Sequence, residues 1–325
     1  MRPQRLFDAP RDNPDRLLIE ASRVAAPHRS RGLCGLAVCL QSALEAASLS
    51  LSYAELMGLL NAAFLLRVDE QFAVAQTVES RWQRLDWVLA ELGFSDGRVL
   101  EQMPQPELIA QELAAGRPLP ALAWSAGGAD WALICGQAAE GQNWWGYPFS
   151  TNPLLVEAEA GCRVLVPVGP KTGDTDITAA RDAALAAAGT LRLSAGDPVR
   201  AYAQWAELMR RQEPFDDGPG GDEVIMRHEW LTEVLLDARY AAVDFLRGIA
   251  DSSHEFWEEE LTRAADLYDE VIGVLESRQP ALFEPIAMEV LRDPQIRYEW
   301  AELLQEAAEL EAEALDAIRR IGAGT

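Results

Sequence analysis

The apolar residues of this chain change period twice along its length, and that change limits the fold more than any other feature. Up to residue 114 they recur at three and four. Leu36, Leu40, Leu44 and Ala47 predict a helix over 34–47, and Leu56, Leu59, Leu60 and Phe64 predict a second over Tyr53–Phe64. Trp82–Leu92 and Pro106–Ala114 read the same way. After Gly116 the pattern becomes strand-like, in short runs at Leu119–Trp124, Trp131–Cys135, Asn143–Tyr147 and Cys162–Val168, separated by turn formers. Helical spacing then returns. Leu231, Val234, Leu235, Ala238, Ala241, Phe245 and Ile249 trace one long face, Leu303, Ala307, Leu310, Ala314, Ile318 and Ile321 trace another, and 255–276 and 281–291 predict two more helices. Helices followed by neighbouring strands imply an α+β unit with an antiparallel sheet, and the second half implies an α-helical bundle.

Charge divides the chain at the same place. Residues 1–172 carry 14 basic and 19 acidic side chains, whereas residues 173–325 carry 14 and 33. Gly169–Asp176 is rich in turn formers and lies between the last strand and an alanine-rich run, as a linker would. The expected organisation is therefore an α+β domain over 1–172 and an acidic helical domain over 173–325. Within the latter, Glu213–Asp222 is too rich in Pro, Gly and Asp for helix or strand and is expected to be a mobile loop.

The net charge of −24 excludes two classes of partner. Nucleic acid and anionic membrane surfaces are both held mainly by Lys and Arg contacts, and this field repels them. No apolar run reaches the ~20 residues of a membrane span, and no apolar stretch of signal-peptide type follows the charged N-terminus. A cytoplasmic location is expected. Cys34, Cys39, Cys135 and Cys162 form no CxxC pair and are expected to be free thiols in a reducing compartment. His228 and His254 stand in His-Glu-Trp and His-Glu-Phe, but Thr232 and Glu258 occupy the places where HExxH needs its second histidine. No metal or cofactor is implied.

Cys34 is the position that bears on chemistry. It ends the loop Arg29-Ser-Arg-Gly-Leu and precedes the first apolar helix, so its sulfur belongs at a helix N-terminus, with Arg29 and Arg31 nearby. Such a setting favours thiolate. Two readings follow: a nucleophile, or a small hydrophobe buried at the start of a helix.

Cys34-Gly-Leu-Ala opening a helix, then Ser52-Tyr-Ala-Glu-Leu-Met-Gly-Leu-Leu-Asn-Ala-Ala-Phe64, Gly116-Arg-Pro-Leu-Pro-Ala-Leu-Ala-Trp124 and Trp131-Ala-Leu-Ile-Cys-Gly136 together resemble the papain-like family around butirosin-biosynthesis protein H, and more distantly the double-glycine leader peptidases. The resemblance spans about 30–150. It implies a papain-like fold with Cys34 at the nucleophile position. It also implies that Asp130 or Trp131 stands where the family's basic histidine would, that Tyr147-Pro148 stands where its orienting Asn or Asp would, and that His28 aligns with the oxyanion amide donor. An aspartate beside a thiol raises its pKa by like-charge repulsion, so hydrolysis by a Cys/His pair is not expected.

Three functions fit these residues. The first is a papain-like protein without protease activity that binds a small molecule or peptide, cationic or apolar, in the former cleft, with Asp130, Trp131, Trp145 and Tyr147 as its lining. The second is a Cys34-dependent acyltransferase or amide-forming or hydrolysing enzyme, with His28 as displaced base or oxyanion donor. The third is an interaction module in which the acidic helical region holds a second copy of the chain as a homodimer.

Overall fold

The first buried helix starts where the backbone leaves an extended Cys34, and its sequence explains why it lies at the centre. The computed structural model describes residues 17–18, 24–70, 72, 84–101, 106–124, 130–137, 143–151, 154–159, 161–193, 197–216, 219–251, 255–277 and 290–323. Helix α1 is Gly35–Ala46, and every residue from Gly35 to Leu44 is buried. A helix apolar on all sides can only be an interior element. Ser52 caps α2, Tyr53–Leu59, its Oγ accepting from the Glu55 amide at 3.0 Å. The predicted helix to Phe64 stops early because Asn61 takes a positive φ of 56°, a conformation Asn tolerates and other residues resist. Helices α3, Leu85–Glu91, and α4, Pro106–Ala114, follow.

The sheet has six strands among the described residues: β1 Leu17–Leu18, β2 Leu119–Leu122, β3 Trp131–Gln137, β4 Asn143–Pro148, β5 Val156–Glu159 and β6 Val164–Leu165. Their order is β5-β4-β3-β2-β6, with β1 pairing the far end of β3 beyond β2, and every pairing is antiparallel. An α+β architecture with an antiparallel sheet is thus what the chain forms. Strand β3 is buried along its whole length, as a central strand must be, and α1 packs on β2 and β3. The predicted strand over Cys162–Val168 shortens to two residues; Pro167 lacks the N–H that a longer ladder needs.

The second half is helical: α5 Ile177–Gly189, α6 Pro198–Arg210, α7 Pro219–Ala250, α8 Glu255–Glu276 and α9 Pro294–Ala323. Asp176 and Asp197 cap α5 and α6 through their carboxylates. Helix α9 packs on α5, α6 and α8, while α7 packs on α8 and reaches α2. The loop expected over 213–222 is largely ordered instead. Glu213–Phe215 form a 3₁₀ turn, and α7 already begins at Pro219. The reason is Phe215, whose buried ring lies 6.2 Å from Phe72 and 5.0 Å below the Arg297 guanidinium. The predicted helix over 281–291 and His254 fall outside the described residues, apart from the last two positions of that helix.

The two halves share one hydrophobic core. A Cβ at Gly58 would lie 2.2 Å from Phe245 Cγ, so α2 and α7 touch where only glycine allows it. Arg181 of α5 makes a bidentate pair with Glu55 of α2 at 2.8 and 2.9 Å, and Arg239 of α7 donates to the Ala63 carbonyl at 2.7 Å. The Gly169–Asp176 segment is also held, since the Thr172 and Gly173 amides both donate to the Gly93 carbonyl. No helix among the described residues is long and apolar enough to cross a membrane.

Candidate functional site

Cys34 stands at the N-cap of α1, with an extended backbone, and the Val38 amide donates to its carbonyl at 3.1 Å. Its side chain is 1% exposed and makes no cap hydrogen bond. Its amide is occupied as well, donating to Tyr53 Oη at 2.9 Å. Two local features bring Tyr53 there. The Ser52 cap places it in the first turn of α2, and its ring rests on Gly32, where a Cβ would fall 2.2 Å from Cζ and where φ is +153°. Only glycine accepts both conditions.

Tyr53 connects Cys34 to the helical half. Its hydroxyl donates to Asp237 Oδ2 of α7 at 2.5 Å. Burial pushes the Tyr53 phenol well above its ordinary pKa, and the neighbouring Cys34 and Asp237 push it further. The phenol stays protonated and is therefore a fixed donor to the carboxylate.

Asp130 and Trp131 lie against the start of α1, next to Cys34. A Cβ on Gly35 would meet Asp130 Oδ1 at 2.9 Å, Phe149 Cδ1 at 3.0 Å and Trp131 Cβ at 3.2 Å. Asp130 Oδ1 accepts from the Trp131 amide at 2.7 Å, and Oδ2 lies 3.8 Å from Arg29 Nη2. Burial raises the Asp130 carboxyl, against the pull of that amide and of Arg29. Tyr147 faces Leu133 across the β3–β4 ladder and lies near Cys135, so the aromatic contact beside Gly35 comes from Phe149, two residues further on. Trp145 is half-buried, opposite Glu157 of β5.

His28 has a different task from a thiol base. Its Nδ1 accepts from the Ser30 amide at 2.9 Å and caps the 3₁₀ turn Arg29–Arg31, which leaves the proton of the neutral ring on Nε2. Among the described residues it makes no hydrogen bond to Cys34. Nor do the nearby arginines form the electropositive setting expected for a thiolate. Arg31 is committed to Glu45 at 2.6 Å and Ser42 at 3.1 Å, along α1. Arg29 turns the other way: its Cζ lies 5.4 Å from the Phe149 ring centroid and 5.1 Å from that of Trp230.

Helix α7 supplies the remaining wall. Trp230, Glu233 and Asp237 recur at three and four, on one stripe directed at Arg29 and Tyr53. Burial raises the Glu233 carboxyl and Arg29 opposes it; burial and Glu233 together raise Glu229. These residues are missed by a reading of the sequence that treats His228-Glu-Trp230 only as a failed zinc motif. Their spacing on the flank of the apolar face was the available signal. Among the described residues no group of three or more His, Cys, Asp or Glu is placed to hold a metal ion.

The chemistry open to this arrangement is constrained. A tetrahedral intermediate at Cys34 would need its amide as oxyanion donor, and that donor is bonded to Tyr53. A flat cation, by contrast, meets two aromatic faces and several carboxylates. No protein-family model matches the chain, and no curated protein matches it.

Proposed function

We propose that this is a papain-like protein without protease activity, whose former catalytic cleft, closed on one side by α7, binds a small cationic ligand. The observation that carries this reading is the cation already seated there: the Arg29 guanidinium lies between Phe149 and Trp230 and beside Asp130. Supporting the papain-like assignment are the cysteine-opened buried helix, the antiparallel sheet packed on it, and Asp130 opening the strand next to that cysteine. Supporting the loss of hydrolysis are the buried Cys34 sulfur, its engaged amide and a hydrogen-bonded carboxylate in place of a base. A net charge of −24 draws cations toward such a cleft.

The test is calorimetric titration of the full chain with agmatine, choline and spermidine, beside Cys34→Ala and Asp130→Asn. Binding weakened by Asp130→Asn and unchanged by Cys34→Ala supports the reading. Thioester formation from an acyl donor that Cys34→Ala abolishes would replace it with acyl transfer.

A further inference from the structure

We infer that Arg29 is an internal occupant of a guanidinium site, and that the ligand is a guanidinium-bearing molecule that enters by displacing it. This deepens the proposed function and rests on reading the cleft as a cation site. The walls come from both halves: Phe149 and Asp130 from the sheet region, Trp230 and Glu233 from α7. Aromatic faces 5.1 and 5.4 Å from Cζ on two sides suit a planar, weakly hydrated cation better than a compact ammonium.

The site holds its own arginine incompletely. The 3.8 Å separation from Asp130 is too long for a hydrogen bond. Arg29 Nε is buried with no partner among the described residues, and so is Glu229 Oε1, on the adjoining turn of α7. The buried Arg29 donor is thus left unmet, at a cost that a better-fitting guanidinium would remove. Exchange requires little movement. The Arg29 amide is anchored to the Ser150 carbonyl at 3.1 Å, so the backbone stays and only the side chain, 34% exposed, has to swing out.

The experiment measures agmatine binding by calorimetry to the full-length wild type, Arg29→Ala and Arg29→Gln, the second variant guarding against a folding defect in the first. With the internal competitor gone, affinity rises about tenfold or more, and adding Trp230→Ala or Asp130→Asn to either variant removes the gain. Butylamine, an ammonium of similar length, gains less. A capped Gly-Arg-Gly peptide run in parallel assigns the source: tighter binding than agmatine points to an arginine side chain of a peptide, weaker binding to a free small molecule, and either supports a guanidinium site. Affinity for agmatine unchanged by both Arg29 substitutions overturns the inference. If wild type still binds an organic cation in an Asp130-dependent way, the cation-site reading survives that result; if no variant binds any cation, both fall.

Discussion

Tyr53 and Asp237, 184 residues apart in the chain, share a hydrogen bond of 2.5 Å that ties the first turn of α2 to the middle of α7. Because the same hydroxyl accepts from the Cys34 amide, one phenol governs both the docking of the helical half and the availability of the cysteine backbone. In Tyr53→Phe the Cys34 amide loses its partner in a buried place, at a cost of about 1–3 kcal/mol. Urea denaturation should report that loss. Iodoacetamide labelling followed by mass spectrometry should find Cys34 modified faster than in wild type, since its cover has loosened; an unchanged rate would mean that Tyr53 does not guard it.

Arg239 and Glu311 form a pair in which both side chains are 0% exposed, with contacts of 2.6 and 2.9 Å. Removing one partner leaves the other charge buried and uncompensated, which costs about 3–5 kcal/mol. Arg239→Met should lose the most, because the Ala63 carbonyl also loses its donor. The double variant Arg239→Met/Glu311→Leu should be more stable than Arg239→Met alone, and a double-mutant cycle from denaturation midpoints measures the coupling.

His228 governs part of the acid response. Its ring is fully buried between Phe72, Trp205 and Trp300, with centroids 5.7, 5.4 and 5.3 Å away, and neither nitrogen has a hydrogen-bond partner among the described residues. Burial pushes its pKa down to about 3. Unfolded histidine titrates near ~6.5, so below that pH the unfolded chain binds a proton that the folded chain refuses. Stability is full above pH ~6.5 and falls as the pH drops toward 3, by about 2 kcal/mol between pH 6.5 and 5. The raised carboxyls of Asp130, Glu229 and Glu233 act in the opposite sense, their protonation favouring the fold as pH falls. The difference between wild type and His228→Phe isolates the histidine. Denaturation midpoints should decline less steeply in the variant from pH 7 to 5.

Gly58 and Phe245 set how closely α2 lies on α7. Gly58→Ala improves helix propensity by ~1 kcal/mol, yet its methyl would fall inside the Phe245 ring. Overpacking should win, with a net loss of about 1–3 kcal/mol. Adding Phe245→Leu should recover part of it in thermal melts.

Local periodicity determined the elements. The repeat of Leu36, Leu40 and Leu44 placed α1 and put Cys34 at its N-terminus, the spacing over 106–114 and 255–276 matched α4 and α8 to the residue, and the four short apolar runs marked strands β2, β3, β4 and β6 of an antiparallel sheet. Strand β5 escaped notice because Val156-Glu-Ala-Glu159 is an edge strand with no apolar run, its side chains alternating between part-buried and exposed. Only the tertiary structure decided the candidate site. That Tyr53 takes the Cys34 amide, that Arg31 turns to Glu45 while Arg29 turns to Trp230, and that α7 brings Glu233 to Arg29 and Asp237 to Tyr53 are pairings that the local period does not reveal. A residue's period shows which face of its own helix it occupies, whereas the partner that satisfies a polar group depends on which other face packs there, and that is settled by burial across the whole chain.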